Sequence, residues 1–197
     1  TTVATMASKE GYELMAVTLH YGQLHSREID AATKVADELG IRQRIVDVSF
    51  FKELAWYSAL TNPAEFAIPD DRSLEEMAAD IPITYVPLRN TFFMTMAAAY
   101  IESIALNWIE IESGDPKELE VAIFIAANAI DYSGYPDCRP EFYESLIETF
   151  RQGSKLGSQY GVNFDVKTPI IDKSKADIAR LAVEIGAPLR YTWSCYE

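Results

Sequence analysis

The densest group of residues that could bind a ligand lies in one polar segment, D-Y-S-G-Y-P-D-C-R-P-E, over residues 131–141. Tyr132 and Tyr135 could hold a flat ring between them, and Asp131 and Asp137 could accept hydrogen bonds from the N–H and amino groups of that ring. Arg139 could bind a carboxylate or phosphate through two parallel hydrogen bonds. A rigid surface loop whose tyrosines cover the core is the alternative. The density of ligand-capable groups favours a binding loop.

Three further polar segments follow predicted strands, at residues 21–23, 87–90 and 168–175. The carboxyl ends of parallel strands meet at one edge of a sheet, so these segments and residues 131–141 are predicted to line one pocket. Arg89, at a predicted helix N-terminus, is suited to an anion. Lys173 and Lys175 could neutralise a leaving pyrophosphate, and Ser174 could donate a hydrogen bond to it. Solvated surface charge is the alternative for each of these cations.

The elements that must position these segments alternate along the chain, which predicts a single α/β nucleotide-binding domain over residues 1–197. Its sheet is expected to be open and mostly parallel, with helices on both faces. Strands are predicted at residues 14–19, 44–48, 85–86, 121–127 and 164–167. Helices are predicted at residues 1–9, 26–39, 50–60, 91–106 and 142–150, and after a cap at Asp172 or Ser174.

The segments between these elements carry three further expectations. Asn90 is expected to cap the helix that follows it. Residues 61–82 form an acidic, proline-bearing excursion that could be a lid, a dimer contact or a disordered insertion, and residues 157–161 are expected to form a loop. The first helix lacks a preceding strand, so we expect a strand and a phosphate-binding turn before Thr1, and the aromatic last residues lead us to expect more chain after Glu197.

Composition narrows the classes of function. The 197 residues carry a net charge of −13 and no basic stripe, which disfavours extended contact with nucleic acid. We expect no stretch of the sequence to approach the length and apolarity of a membrane span, and we therefore expect a cytoplasmic protein. Cys138 and Cys195 are not expected to form a disulfide there. His20 and His25 flank Y-G-Q and do not share a helix face, so they do not form a zinc-protease motif.

The chain resembles a known family in five segments that occur in the family's order and extend over nearly the whole length: L-H-Y-G-Q-L-H, V-P-L-R-N, I-D-Y-S-G-Y-P-D-C-R-P-E-F, T-P-I-I-D-K-S-K-A-D-I and T-W-S-C-Y. That family is the 7-cyano-7-deazaguanine synthases, the nitrile-forming enzymes of queuosine and archaeosine biosynthesis. It is similar in fold to the adenine-nucleotide α-hydrolases, with a phosphate loop S-G-G-x-D-S and a four-cysteine zinc site. The family usually has Asp where His20 stands and Arg where Leu24 stands.

The resemblance implies ATP-dependent conversion of 7-carboxy-7-deazaguanine and ammonia to 7-cyano-7-deazaguanine through an adenylated intermediate. The implied substrate-binding residues are Asp131, Tyr132, Ser133, Gly134, Tyr135, Asp137 and Arg139. The implied ATP-binding residues are Thr1, Leu19, His20, Tyr21, Arg89, Asn90 and Ser174. The implied catalytic charges are Arg89, Lys173 and Lys175.

The resemblance also implies Mg²⁺, a homodimer and a small C-terminal zinc-binding appendage that is only partly present, with Cys195 as its first ligand. Two alternatives remain open at this point. One is another ATP pyrophosphatase of the same fold, such as an amidating synthetase or a tRNA thiolase, although the acidic charge weighs against a tRNA substrate. The other is a nucleotide-binding module without turnover.

Overall fold

The computed structural model describes residues 1–22, 27–67, 81–128 and 134–193. Helices and strands follow one another in the order α1 Thr2–Lys9, β1 Met15–His20, α2 Arg27–Leu39, β2 Arg42–Asp47, α3 Phe51–Leu54, α4 Arg89–Glu110, β3 Val121–Phe124, α5 Pro140–Gly153, α6 Lys155–Tyr160, β4 Phe164–Lys167 and α7 Lys175–Glu184. Short 3-10 turns occupy Pro116–Glu118, Pro136–Cys138 and Leu189–Tyr191. The protein is therefore a helix-rich α/β structure.

The described strands form two parallel pairs. β1 pairs with β2 from Met15 opposite Arg42 to His20 opposite Asp47. β3 pairs with β4 from Val121 opposite Phe164 to Phe124 opposite Lys167. The parallel direction and the crossover helices agree with the expected fold class.

The expected single sheet is not continuous over the described residues, which form two separate two-stranded sheets. A cavity of about 330 Å³ lies between them and is lined by residues of β1, β3, α1 and α4. At one side of it, the rings of Tyr12 and Phe124 meet edge to face at 5.2 Å. The cavity and this ring contact therefore separate β1 from β3.

The larger hydrophobic core lies around the second sheet. It is built from α4, α5, α6, β3 and β4, and Leu156 and Phe164 are its most deeply buried large side chains, with exposed fractions of 0% and 2%. A smaller cluster of Phe51, Ala55 and Val86 packs with Phe92 near the start of α4. Packing against both clusters fixes the N-terminal turn of α4.

The expectation that no segment approaches a membrane span is wrong for α4, because Arg89–Glu110 is long and apolar enough to cross a membrane by length and composition. A core helix of a globular domain meets the same criteria. Met94, Ala98, Ala105 and Ile109 belong to the larger core cluster, and Glu102 accepts a hydrogen bond from the N–H of Leu156 at 3.0 Å. These contacts pack one part of the surface of α4 against the larger core.

Four predictions of local structure are wrong. Residues 85–86 form no strand, because Pro82 and Pro87 flank a turn closed by the N–H of Tyr85 on the Pro82 carbonyl at 2.8 Å. The helix expected at residues 50–60 ends at Leu54. Residues 155–160 are helical rather than a loop, since Ser154 caps that helix on the N–H of Gly157. Asn90 lies inside α4, whose N-cap is Leu88.

Candidate functional site

The site is built on the first turn of α4. Leu88 precedes it in the left-handed conformation, with φ 54° and ψ 23°, and its N–H donates to the Tyr85 hydroxyl at 3.1 Å. Such a conformation costs a residue with a side chain about 1 to 2 kcal/mol, so the surrounding contacts must hold it. The turn points Arg89 and Asn90 toward two different neighbours.

Asn90 joins α4 to the segment that the sequence singled out. Its backbone N–H donates to the Asp137 carboxylate at 3.2 Å, and its side-chain amide donates to the Asp137 carbonyl at 3.2 Å. The same amide lies 3.2 Å from Sγ of Cys138. The structure therefore brings Asn90 and Asp137 together, although the sequence assigned them to different ligands.

Asp137 is almost fully buried, with 6% of its surface exposed. Burial raises the pKa of this carboxyl above its ordinary value of 3.8, while the N–H of Asn90 and the charge of Arg89 act in the opposite direction. A buried carboxylate is stabilised where it meets a helix N-terminus and a cation. This burial could not be predicted from the sequence, since Asp137 lies in a segment of mostly polar residues.

Arg89 reaches the end of β1. Its guanidinium carbon lies 5.9 Å from the centroid of the Tyr21 ring, which also packs against Phe93 at 5.4 Å. An arginine over an aromatic face is held by cation–π attraction. The end of β1, the start of α4 and the 3-10 turn at Pro136–Cys138 thus form one group, although residues 85–86, which the predicted pocket required as a strand, form a turn instead.

Tyr135 lies at the edge of this group. Its hydroxyl shares a 3.0 Å hydrogen bond with that of Thr84, and its ring lies 6.3 Å from the Tyr85 ring. Gly134 beside it is half-buried, whereas Arg139 is exposed and precedes α5 as its N-cap. The sequence missed Thr84 and Tyr85 as neighbours of the site, because it assigned residues 85–86 to a strand.

The predicted phosphate-facing residues form a second group at the start of α7. Ser174 is the N-cap, and its hydroxyl accepts from the N–H of Asp177 at 3.2 Å. Lys173 lies 3.5 Å from the carboxylate of Asp172. Lys175 is exposed in the first turn.

The remaining predicted ATP residues lie around β1 and α1. The Thr1 hydroxyl shares a 2.7 Å hydrogen bond with that of Thr192 and lines a cavity of about 320 Å³ under α2. Leu19 is buried, with 8% exposed, and Nδ1 of His20 lies 3.7 Å from the Asp47 carboxylate. Thr1 therefore contacts Thr192, and His20 lies beside Asp47 of β2.

The described residues do not include six that the sequence singled out, nor residues 68–80 of the acidic excursion; the six are Leu24, His25, Asp131, Tyr132, Ser133 and Cys195. Over the parts of the chain that the structure describes, no group of three or more His, Cys, Asp or Glu side chains could hold a metal ion. Cys138, the cysteine within those parts, is buried against Asn90. The described residues thus do not supply a zinc site.

The comparison with known proteins agrees with the resemblance seen in the sequence. The family described as "Queuosine biosynthesis protein QueC" matches residues 1–197. A relative named 7-cyano-7-deazaguanine synthase from Thermoplasma acidophilum is 41% identical over 196 residues, which is 100% of this chain and 74% of the relative. Relatives of the same name from Trichodesmium erythraeum and Picrophilus torridus are 40% and 36% identical over 195 residues, covering 99% of this chain and 80% and 73% of the relatives. The chain therefore belongs to the queuosine biosynthesis protein QueC family.

Proposed function

We propose that this protein is an enzyme that makes 7-cyano-7-deazaguanine from 7-carboxy-7-deazaguanine and ammonia, using ATP, for queuosine or archaeosine biosynthesis. The observation that carries this proposal is the match to synthases of that name over the whole chain. The site adds support, because Arg89, Asn90 and the turn of residues 136–138 lie together at the start of α4. An enzyme that forms C–N bonds with ATP is a ligase.

The proposed reaction consumes two molecules of ATP. A carboxylate oxygen attacks the α-phosphorus and pyrophosphate leaves, giving an acyl adenylate. Ammonia then attacks the acyl carbon and AMP leaves with that oxygen, giving the amide. The amide oxygen attacks a second ATP, pyrophosphate leaves again, and loss of a second AMP with two protons gives the nitrile. Each step moves negative charge onto phosphate oxygens, so catalysis depends on positioning and on fixed positive charge.

The substrate is proposed to bind along residues 131–139. Arg139 is exposed and can pair with the carboxylate of the substrate, and Tyr135 presents an aromatic ring at the edge of the site. Gly134 is proposed to contact the substrate ring beside Tyr135. Asp131, Tyr132 and Ser133 complete this proposed set, which rests on the family resemblance.

ATP is proposed to bind between the end of β1 and the start of α4. Arg89 supplies a cation at a helix N-terminus, where backbone N–H groups also favour anions. Lys173, Ser174 and Lys175 are proposed to meet the departing pyrophosphate, since they stand together at the start of α7. Thr1, Leu19, His20 and Tyr21 are proposed to contact the nucleotide.

Four further properties belong to the proposal. Mg²⁺ accompanies ATP, and zinc stabilises a C-terminal appendage through Cys195, with no step of the reaction assigned to either metal. The enzyme acts in the cytoplasm, where ATP is abundant. It forms a homodimer, and the half-exposed side chains of Phe50, Trp56 and Tyr57 offer an apolar surface of the kind that subunit contacts bury.

The test is product identification. The full-length protein is incubated with 7-carboxy-7-deazaguanine, ammonium, Mg²⁺ and ATP, and the deazapurines are analysed by mass spectrometry. The proposal predicts a product lighter than the amide by one water. A reaction that stops at the amide would indicate an amidating synthetase, and nucleotide binding without turnover would indicate a binding module. Elemental analysis of the wild type and of Cys195→Ala tests the zinc assignment independently.

A further inference from the structure

Asn90 connects α4 to the proposed substrate segment through both its side chain and its backbone N–H. Asn90 donates to the Asp137 carboxylate through its N–H and to the Asp137 carbonyl through its side chain, each at 3.2 Å. The amide also contacts Sγ of Cys138 at 3.2 Å. Three contacts from one residue to two consecutive residues fix the relative position and orientation of the two backbones.

These contacts are shielded from water. Asp137 and Cys138 have only 6% and 7% of their surfaces exposed, and Asn90 is half-buried. A buried polar group that loses its partner costs more than an exposed one, because water does not replace the lost bond. Breaking these hydrogen bonds is therefore costly, which favours a single arrangement of the two backbones.

The junction lies between the two arginines of the proposed site. Arg89 precedes Asn90 directly, and Arg139 follows Cys138 directly. Leu88 is held in a left-handed conformation just before Arg89, so the backbone there has little freedom to adjust. Any movement of Asn90 relative to Asp137 therefore changes the distance between the two guanidinium groups.

We propose that Asn90 and Asp137 form a positioning pair that sets the distance between Arg89 and Arg139, and with it the distance between the phosphates of ATP and the carboxylate of the substrate. This inference rests on the proposed function and revises two roles that the family resemblance implied for these residues. Asn90 acts through Arg89 rather than by binding ATP. Asp137 acts through the segment that ends in Arg139 rather than by binding the purine ring.

The energetic argument is that adenylation requires the carboxylate oxygen to reach the α-phosphorus. A misplacement of about 1 Å can slow such a step about a hundredfold while leaving each partner bound. A positioning pair should therefore affect kcat much more than the affinity for either ligand alone. A residue that contacts one ligand should instead change the affinity for that ligand.

The experiment compares three variants of the full-length protein with the wild type and with Thr95→Ala. Asn90→Ala removes the side-chain donor, Asp137→Ala removes the acceptor, and Asp137→Asn keeps an oxygen acceptor of the same shape. Thr95 is a matched control, because it lies exposed on α4 and its hydroxyl donates to the Thr91 carbonyl of the same helix at 2.8 Å. Calorimetry measures the Kd of ATP and of 7-carboxy-7-deazaguanine separately, and steady-state kinetics measures kcat. Hydrogen exchange measures the protection of the backbone N–H at position 90.

The expected result is a fall in kcat of about tenfold or more in Asn90→Ala and Asp137→Ala, with each Kd within about threefold of the wild type. Asp137→Asn should keep kcat within about threefold of the wild type and keep the backbone N–H of Asn90 protected from exchange. Asp137→Ala should lose that protection. Thr95→Ala should match the wild type. If Asn90→Ala folds poorly, the comparison of kcat between Asp137→Asn and Asp137→Ala decides whether the pair positions the two ligands.

The inference is overturned by a selective loss of ATP affinity in Asn90→Ala at unchanged kcat, which would make Asn90 a ligand contact. It is overturned equally by a selective loss of substrate affinity in Asp137→Asn, or by unchanged kcat in both alanine variants. Failure of the proposed function gives a different result, since the wild type itself would then form no nitrile. If the backbone N–H at position 90 exchanged at the same rate in all variants, Asn90 and Asp137 would not be hydrogen-bonded in solution. The inference would then fail whatever the activity.

Discussion

The guanidinium carbon of Arg89 lies 5.9 Å from the centroid of the Tyr21 ring. Tyr21 directly follows β1, and Arg89 is the first residue of α4. The Asp137 carboxylate approaches the same turn from a third element through the N–H of Asn90. An aromatic face thus lies against the arginine that the proposed function places on ATP, and a buried carboxylate binds the N–H of the next residue.

The Tyr21 ring is expected to matter more than its hydroxyl. Tyr21→Phe keeps the aromatic face and should retain kcat/KM, whereas Tyr21→Leu removes the cation–π contact and should lower kcat/KM by about fivefold, equivalent to about 1 kcal/mol. Steady-state kinetics with ATP as the varied substrate measures both. Equal activity of the two variants would mean that the ring does not hold Arg89 in the working enzyme.

Arg139→Ala is expected to weaken binding of 7-carboxy-7-deazaguanine by about thirtyfold, or about 2 kcal/mol, because a charge-assisted pair with the carboxylate is lost. ATP should bind as in the wild type. Arg42→Ala is the control, since Arg42 is exposed on β2 and pairs with Glu13. Calorimetric titration with each ligand makes the measurement, and an equal loss for both ligands would assign Arg139 to the structure rather than to the substrate.

The sequence predicted those elements whose signals are local. β4 lies at the predicted residues 164–167, and α2 ends at Leu39 before Gly40, which has a φ of +65°. These boundaries depend on alternation and on a glycine stop, which are properties of neighbouring residues. The same alternation predicted β1 to within one residue at each end, but the start of α4 follows a turn rather than the strand expected at residues 85–86.

The errors arose where a distant partner decides the outcome. Asn90 reads as a helix cap, but its side chain donates to the Asp137 carbonyl, and Leu88 occupies the N-cap position instead. Residues 157–161 read as a loop because of two glycines. Burial of Leu156 overrides that low helix propensity, and no local pattern contains this burial, whereas the cap by Ser154 is a local signal that the prediction missed.

Gly157 is expected to tolerate no side chain. A Cβ there would lie 2.2 Å from the carbonyl oxygen of Arg151, because α5 and α6 approach closely at their junction. Gly157→Ala should therefore lower the free energy of unfolding by about 1 to 3 kcal/mol.

Gly153→Ala is the matched control, since no atom lies within 4 Å of its Cβ position. It should leave stability unchanged or raise it by about 0.4 to 1 kcal/mol through a less flexible unfolded chain. Urea unfolding of both variants gives the comparison. A Gly157→Ala variant as stable as Gly153→Ala would show that the two helices do not meet as described.

Glu148 provides a test of surface electrostatics. Hydrogen bonds from Arg151 at 2.8 and 2.6 Å, followed by one from Gln152, lower the pKa of Glu148 from 4.5 to about 2. Because the folded-state pKa is depressed, the stabilising contribution is present above pH 4.5 and is lost as the pH falls through about 2.

Titration followed by NMR should place the Glu148 midpoint near 2, and Arg151→Ala should move it up toward 4.5. Arg180→Ala, on α7, should leave the midpoint unchanged. The shift should shrink at about 1 M salt, because both side chains are about half exposed. A midpoint that stays near 2 in Arg151→Ala would mean that another group is responsible for the shift.

The central claim, activation of the carboxylate by adenylation, is tested most directly with substrate labelled with ¹⁸O in both carboxylate oxygens. Each activation transfers one of these oxygens from carbon to phosphorus, so the account predicts two molecules of AMP per nitrile, each carrying one ¹⁸O, together with unlabelled pyrophosphate. Mass spectrometry of the nucleotides and the deazapurine measures all three. Accumulation of ADP with ¹⁸O in inorganic phosphate, or nitrile formation with unlabelled AMP, would contradict the account.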